Sequence, residues 1–517
     1  MARESRVQKS LLNARVNLFC YVLSLIVAFF TRKAFLDQLG TDFIGLTGTL
    51  QSILGFLNLA ELGVGTAIGY VLYKPLFDDD KIKINEIVSV FGYIYRCIGT
   101  FILVIGILLS FFLPFIFPST VFCYEVIYLG YYAFLLSSLI TYFFNYKMTL
   151  LSADQRNYEV MGYYQIVISS KMCLQMIFAF YVKSFYLFLL LEIIFGVLYS
   201  VILNIRISKV YPWLDSDIKL GRKLFKKYPE INKYVRQLFF HKLGGFVQYQ
   251  IAPFFVYTFV SLPVVALYSN YTLITLKIQG LMAGVLDSTG AGVGNLISEN
   301  DKQKIYSVYK ELLSVRILIA GILTICLFVL INPFIILWLG ENYVLSRLVT
   351  TLISFQTFLA LMRGTTEQFL YGYGLFYDVW APVAECTIFI ICSIIGGYFW
   401  GLPGVLMGPI LSTVVIIHIW KPIFLYIKGF KRSFGLYIKL CIINLIPIVV
   451  AFAFTMYLFP LISNCLSLSL SWRNWFLGSV LFITLMGGLS LTFGMVVSAS
   501  LRAFFFRLIK KKRNRCF

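Results

Sequence analysis

Charge is scarce in this chain, and negative charge scarcer still. Only 13% of its 517 residues are charged, and of these 23 are Asp or Glu; histidine occurs twice. A soluble domain of that length needs a more polar surface, because part of its side-chain area must face water. The ten cysteines lie apart (Cys20, Cys97, Cys123, Cys173, Cys326, Cys386, Cys392, Cys441, Cys465 and Cys516), and no CxxC pair occurs. Neither a disulfide framework nor a zinc site is indicated; most of these thiols sit in apolar runs, where they behave as small hydrophobes. A Walker A motif is missing, which excludes ATP hydrolysis by this chain, and HExxH and GxSxG are missing too. No polar segment is long enough to form a domain, so nucleic acid is not expected as a partner despite a net charge of +21.

What the chain does have is apolar sequence. Hydrophobic residues make up 60% and aromatics 18%, with a mean hydropathy of +0.85. One helical crossing of a bilayer takes roughly 20 apolar residues. Such runs recur near 12–36, 43–73, 88–117, 122–147, 159–181, 185–207, 236–260, 263–286, 308–338, 345–371, 378–399, 402–425, 435–459 and 474–502. The expected fold is therefore an all-α polytopic membrane protein of about fourteen transmembrane helices. About 36 of the 44 Lys and Arg fall on one set of alternate loops and helix ends, the asymmetry that marks the cytoplasmic side. Both basic termini belong to that side, which places the chain as a multi-pass protein of the bacterial inner membrane facing anionic headgroups. The start, MARESRVQKSLLNARVN, leads into an apolar run too long for a signal peptide and reads as the first helix.

The chain also carries a weak internal echo. Asp80-Lys81-Ile82-Lys83-Ile84 matches Asp301-Lys302-Gln303-Lys304-Ile305; in the same order Arg15 pairs with Arg236, Arg96 with Arg316, and Pro114-Phe115-Ile116 with Pro333-Phe334-Ile335. Six crossings per copy make this a parallel repeat. The expected divisions are a six-helix bundle at 1–207, a basic cytoplasmic linker at 208–235, a second six-helix bundle at 236–430, and two additional helices with a basic tail at 431–517. Gly63 and Gly65 late in the second helix, and Gly290 and Gly292 late in the eighth, read either as close-packing residues or as a hinge.

Ionisable groups inside hydrocarbon are costly, so each is a candidate for function or for pairing. Lys171 and Lys277 fall near the middle of the fifth and eighth helices, and Glu61 just past the middle of the second. Arg32 and Lys33 lie near the outer end of the first helix, and Lys242 early in the seventh. Arg363 and Glu367, four apart, have the spacing of a pair on one helix. Glu192, Glu385 and His418 take no assigned role. The excess of cations, Arg32, Lys33, Lys171, Lys242, Lys277 and Arg363, suits a cavity for a phosphate or pyrophosphate. Glu61 and Glu367 are the candidates for ion coupling or for pairing. An enzyme reading has only Asp37 and Asp42 in the first outer loop to rest on, and a helix cap explains Asp42 more simply.

Leu39-Gly40-Thr41-Asp42-Phe43-Ile44-Gly45-Leu46, followed by Asn58-Leu59-Ala60-Glu61-Leu62-Gly63-Val64-Gly65-Thr66-Ala67, resembles the start of the bacterial polysaccharide-repeat (O-antigen and capsule) flippases. These belong to the multidrug/oligosaccharidyl-lipid/polysaccharide exporter superfamily. Gly401-Leu402-Pro403-Gly404-Val405-Leu406-Met407-Gly408-Pro409 is similar to the Gly-rich twelfth helix of the same group. The resemblance implies two bundles about a central cavity that opens to each side in turn. It implies a cargo of oligosaccharide on undecaprenyl pyrophosphate, no cofactor beyond a transported proton or sodium ion, and a polysaccharide polymerase and glycosyltransferases as partners. A multidrug or small-solute antiporter and a lipid II flippase share the fold and stand as alternatives; a membrane glycosyltransferase or polymerase is the enzyme alternative.

Overall fold

Apolar runs that cannot leave backbone groups unpaired in lipid must close their hydrogen bonds internally, and this chain does so by helices. The computed structural model describes residues 6–513 apart from Ser119, Gln155, 287–292, Asn295, Ser298, Phe376 and 463–470. Among the described residues there is no strand. Among the described residues fourteen long helices follow the expected runs. The helical stretch Arg6–Leu57 breaks at Gly40, whose φ of 84° lies in the left-handed region, into α1 (6–39) and the first piece of α2 (41–57). After a tight turn, Asn58–Glu61, and Gly63 at φ 86°, α2 resumes as Val64–Asp78. Then come α3 (Lys81–Ser110), α4 (Tyr124–Phe144), α5 (Tyr158–Tyr181), α6 (Phe185–Val210), α7 (Pro229–Phe259) and α8 (Leu262–Leu286). The series continues with α9 (Lys302–Trp338), α10 (Arg347–Gly372), α11 (Trp380–Trp400), α12 (Leu402–Phe430), α13 (Gly435–Ile462) and α14 (Trp472–Val497), and a tail helix α15 (Ala499–Arg513) closes it.

Nine segments among the described residues are long and apolar enough to cross a membrane on their own. The helices that fall short, α5, α7, α8 and α10, include those carrying Lys171, Lys277, Arg363 and Glu367.

The two repeats are recognisable in their caps. Asp80 accepts from Lys83 N at 3.1 Å at the start of α3, and Asp301 accepts from Gln303 N and Lys304 N at 3.0 Å at the start of α9. The matched Asp-Lys motifs are thus helix N-caps, selected by orphan amide donors. A second parallel ties a loop carboxylate to the helix two crossings later. Asp154, before α5, accepts from Tyr211 Oη at 2.8 Å at the end of α6. Asp378, before α11, accepts from Lys421 Nζ at 2.8 Å and Trp420 Nε1 at 3.1 Å on α12.

The chain divides into two compact units, Met1–Ala266 and Leu267–Phe517. α7 packs along the first unit, where Ser52 Oγ donates to Gln250 O. In the second unit, α13 and α14 are seated on α9: Gly321 lies against Ile448, and Trp475 Nε1 donates to Leu330 O at 3.2 Å. The segment 208–235 is likewise docked rather than loose. Its short helix Ile218–Leu224 lies against α3, with Gly221 so close to Ser89 O that a Cβ would stand 2.1 Å from it. Asp215 N donates to Asn85 Oδ1 at 3.1 Å, Asp217 N to Ser89 Oγ at 3.0 Å, and Lys227 Nζ to Glu86 at 2.7 Å.

The Gly-rich start of α12 has a packing role. Gly404 faces Gly396 of α11, and a Cβ at 404 would stand 1.9 Å from Gly396 O. Ser393 Oγ donates to Val405 O at 3.0 Å across the same seam. Small residues let the two backbones approach, as membrane helices require when lipid gives no hydrophobic drive to associate.

Candidate functional site

In the first unit, the break in α2 opens a cavity of about 730 Å³. An ordinary helix would carry Asn58 and Glu61 into the next turn. Here the tight turn Asn58–Glu61 and the left-handed Gly63 interrupt the ladder and aim both side chains at α3 and α4. Tyr95 of α3 donates to Glu61 Oε1. Tyr142 of α4 donates to Glu61 Oε2 at 2.8 Å and to Asn58 Oδ1 at 2.9 Å, and Ser138 Oγ adds a third contact at 3.3 Å. One turn on from Tyr142, Asn145 Oδ1 accepts from Ser200 Oγ at 2.6 Å and Asn204 Nδ2 at 3.3 Å. Thr141, Asn145, Thr149 and Tyr199 complete the polar wall, and Phe246 of α7 an apolar one.

A carboxylate held by hydroxyl donors in a half-buried cavity is an acceptor with spare lone pairs. It suits a cation or a hydroxyl-bearing ligand, and an anion poorly. Among the described residues, no Lys or Arg lines this cavity.

Of the sequence-predicted cations, those with described side chains lie elsewhere. Lys171 of α5 is ion-paired to Glu192 of α6 at 2.7 Å, and Gln175 Nε2 bonds the same carboxylate at 3.1 Å. This is the interhelix pair that an intramembrane lysine finds when it cannot reach water. Arg32 of α1 donates to Ala266 O at 3.0 Å, while its neighbour Lys33 is exposed. Lys277 is half-buried on α8. Lys242 lies in α7 with its side chain outside the described residues, as are Gly290 and Gly292 entirely. Gly63 carries the positive φ of the α2 break, and Gly65 lies near Tyr95, where a Cβ would stand 3.8 Å from the hydroxyl.

In the second unit, Arg363 and Glu367 form the (i, i+4) pair their spacing predicts, at 2.8 Å. His418 on α12 bonds Leu359 O at 3.0 Å, one turn before Arg363. It lies in a π-helical stretch, Thr413–Trp420, and a second such stretch runs over Leu425–Phe430. Widened turns of this kind are often found where a helix carries a functional side chain. Among the described residues no cluster of His, Cys, Asp or Glu has the arrangement of a metal site.

Sequence reasoning found Glu61 but not its setting. Asn58, Tyr95, Tyr142 and Asn145 are neutral and pass unnoticed in a scan for membrane charge. Asn58, three residues before Glu61, and the Tyr142/Asn145 spacing on α4 were the signals available.

No family model matches the chain, and no curated protein does. Solved structures do. The lipid II flippase MurJ, in an inward closed conformation, aligns over 96% of this chain and 100% of its own, with a TM-score of 0.63 and 14% identity. An inward-facing multidrug resistance MATE family transporter of the MOP superfamily aligns over 82% of this chain and 99% of its own, with a TM-score of 0.56 and 14% identity. A MOP superfamily transporter from Pyrococcus furiosus aligns over 82% and 97%, with a TM-score of 0.52 and 16% identity. A multi-pass membrane protein with fourteen long helices among its described residues, this chain has the fold of the MOP superfamily transporters.

Proposed function

We propose that the protein is a flippase that carries an oligosaccharide repeat unit on undecaprenyl pyrophosphate across the bacterial inner membrane by alternating access, with both termini in the cytoplasm. One observation carries the choice among transporters of this fold. The lipid II flippase structure covers 96% of the chain, whereas the MATE structure covers 82%. The added length is that of a protein with helices beyond two repeats, which supports a lipid-linked cargo. The polysaccharide-repeat motifs around Gly40 and Glu61 narrow that cargo to a surface-polysaccharide intermediate. On this reading a polysaccharide polymerase and glycosyltransferases act beside it, and the chain itself does no bond-making chemistry.

Two parts of the site follow from the same reading. The pyrophosphate is met by membrane cations, of which Lys277, half-buried near the middle of α8, is the first to test. Glu61 with Asn58 is the station for a coupling proton or sodium ion.

The test is transport of a fluorescent undecaprenyl-pyrophosphate oligosaccharide in proteoliposomes, read by accessibility to a membrane-impermeant quencher. Transfer between leaflets that needs the protein supports the proposal; none, with reconstituted and folded protein, sinks it. A small-solute antiporter is favoured by one feature, the carboxylate of Glu61 in a cavity whose described lining holds no Lys or Arg. Efflux of a cationic dye with no lipid transfer would establish that reading instead. Transfer of lipid II in preference to the repeat-unit lipid would move the cargo to peptidoglycan.

A further inference from the structure

At the end of the first unit away from its N-terminus lies a second cleft, of about 550 Å³. Asp42 from the α1–α2 junction, Phe115 and Thr120 from the α3–α4 connection, Tyr257 from the last turn of α7 and Ser261 from the α7–α8 turn all line it. We propose that this cleft is a binding site for a neutral, hydroxyl-rich saccharide. The inference rests on the flippase reading for the origin of that sugar, as part of the cargo's head, and on the cleft's own chemistry for the rest.

The left-handed turn at Gly40 brings Asp42 to the opening turn of α2. A cap there would spend its carboxylate on a backbone amide. No such bond forms, and among the described residues nothing donates to Asp42, although the residue is half-buried. Its carboxylate stands at the N-terminal end of α2. An ionised carboxylate is an acceptor only, and two adjacent sugar hydroxyls match its two oxygens.

The aromatic wall supplies the other half of sugar recognition. Tyr257 is fixed, with its hydroxyl donating to Ile116 O at 2.9 Å and its ring stacked on Phe117 at 4.9 Å. Phe115 is 81% exposed at the cleft's rim. Fixed ring faces pack against the C–H faces of a pyranose with little entropy lost. Ser261 adds a hydroxyl able to donate or accept. Among the described residues no Lys or Arg lines the cleft, which disfavours an anionic lipid headgroup as occupant.

The experiment is saturation-transfer NMR on the full-length protein in phosphatidylcholine nanodiscs, with chitobiose, lactose and maltose as probes. Transfer to at least one disaccharide is expected, with binding at least tenfold weaker in Asp42→Ala and weakened in Phe115→Ala. Asp42→Asn, which keeps the size of the side chain, serves if Asp42→Ala fails to fold. No transfer to wild type from any of the three, or unchanged binding in both Asp42 variants, overturns the proposal. Lipid-linked transport by the same preparations separates the two readings. Transport without sugar binding removes the cleft alone; sugar binding without transport removes the flippase and leaves the cleft standing.

Discussion

The Tyr142 hydroxyl reaches the Glu61 carboxylate at 2.8 Å, joining residues 81 apart in sequence and fixing the break in α2 against α4. Tyr95 takes the other carboxylate oxygen from α3. The interruption of α2 is thus braced from two helices at once. A change in Glu61's charge or partners acts on the conformation of the whole segment between Asn58 and Gly63.

Glu61→Gln keeps the side chain's shape and removes its charge. Gradient-driven transport is expected to fall at least tenfold, with membrane abundance near wild type. Tyr142→Phe removes one donor and is expected to give a smaller loss. Transport unchanged in Glu61→Gln would assign the residue to structure alone.

Lys171→Ala strands Glu192 in the membrane, since both side chains are largely buried at 12% and 15% exposure. Leaving one member of a buried pair uncompensated costs about 3–5 kcal/mol. Abundance and thermal stability are expected to drop in the single variant and to recover in Lys171→Ala/Glu192→Gln. If the double variant is no better than the single, the pair is not what holds α5 to α6.

Gly404→Val is expected to abolish folding, because its side chain must enter the backbone of Gly396. Loss of the protein from the membrane fraction, with Gly487→Val tolerated where nothing lies within 4 Å, checks the close seam of α11 and α12.

Asp301→Ala removes the cap of α9 and is expected to cost about 1 kcal/mol, read as a lower melting temperature. Asp80 caps α3 in the same way, and the Lys83 backbone amide holds its carboxyl below the usual value. Its contribution is therefore present above the unfolded-state value and lost as pH falls through the folded one. Asp80→Asn, which caps without titrating, is expected to flatten the acid side of the stability profile.

Most of the helix count was legible, because each run is apolar, long and bounded by charge. The exception in detail is α2, which reads as one run but is two pieces. Its break depends on Gly63 adopting a positive φ, and a glycine permits that conformation without announcing it. The Asp-Lys echo was visible as a match and became intelligible as two N-caps. The Arg363–Glu367 pair was readable because both partners lie on one helix. Lys171's partner was not, since Glu192 sits on the next helix and a linear sequence does not say which faces meet.

The sequence by itself determined that this is a membrane protein of fourteen helices in two repeats, since hydrocarbon leaves the backbone no other way to satisfy its hydrogen bonds. Tertiary structure decided where the charges go. It buried Lys171 against Glu192, braced Glu61 with two tyrosines and left the Asp42 carboxylate unspent beside an aromatic wall. The energy of an ionised group in low dielectric is set by what stands within a few ångströms of it, and packing alone supplies those neighbours.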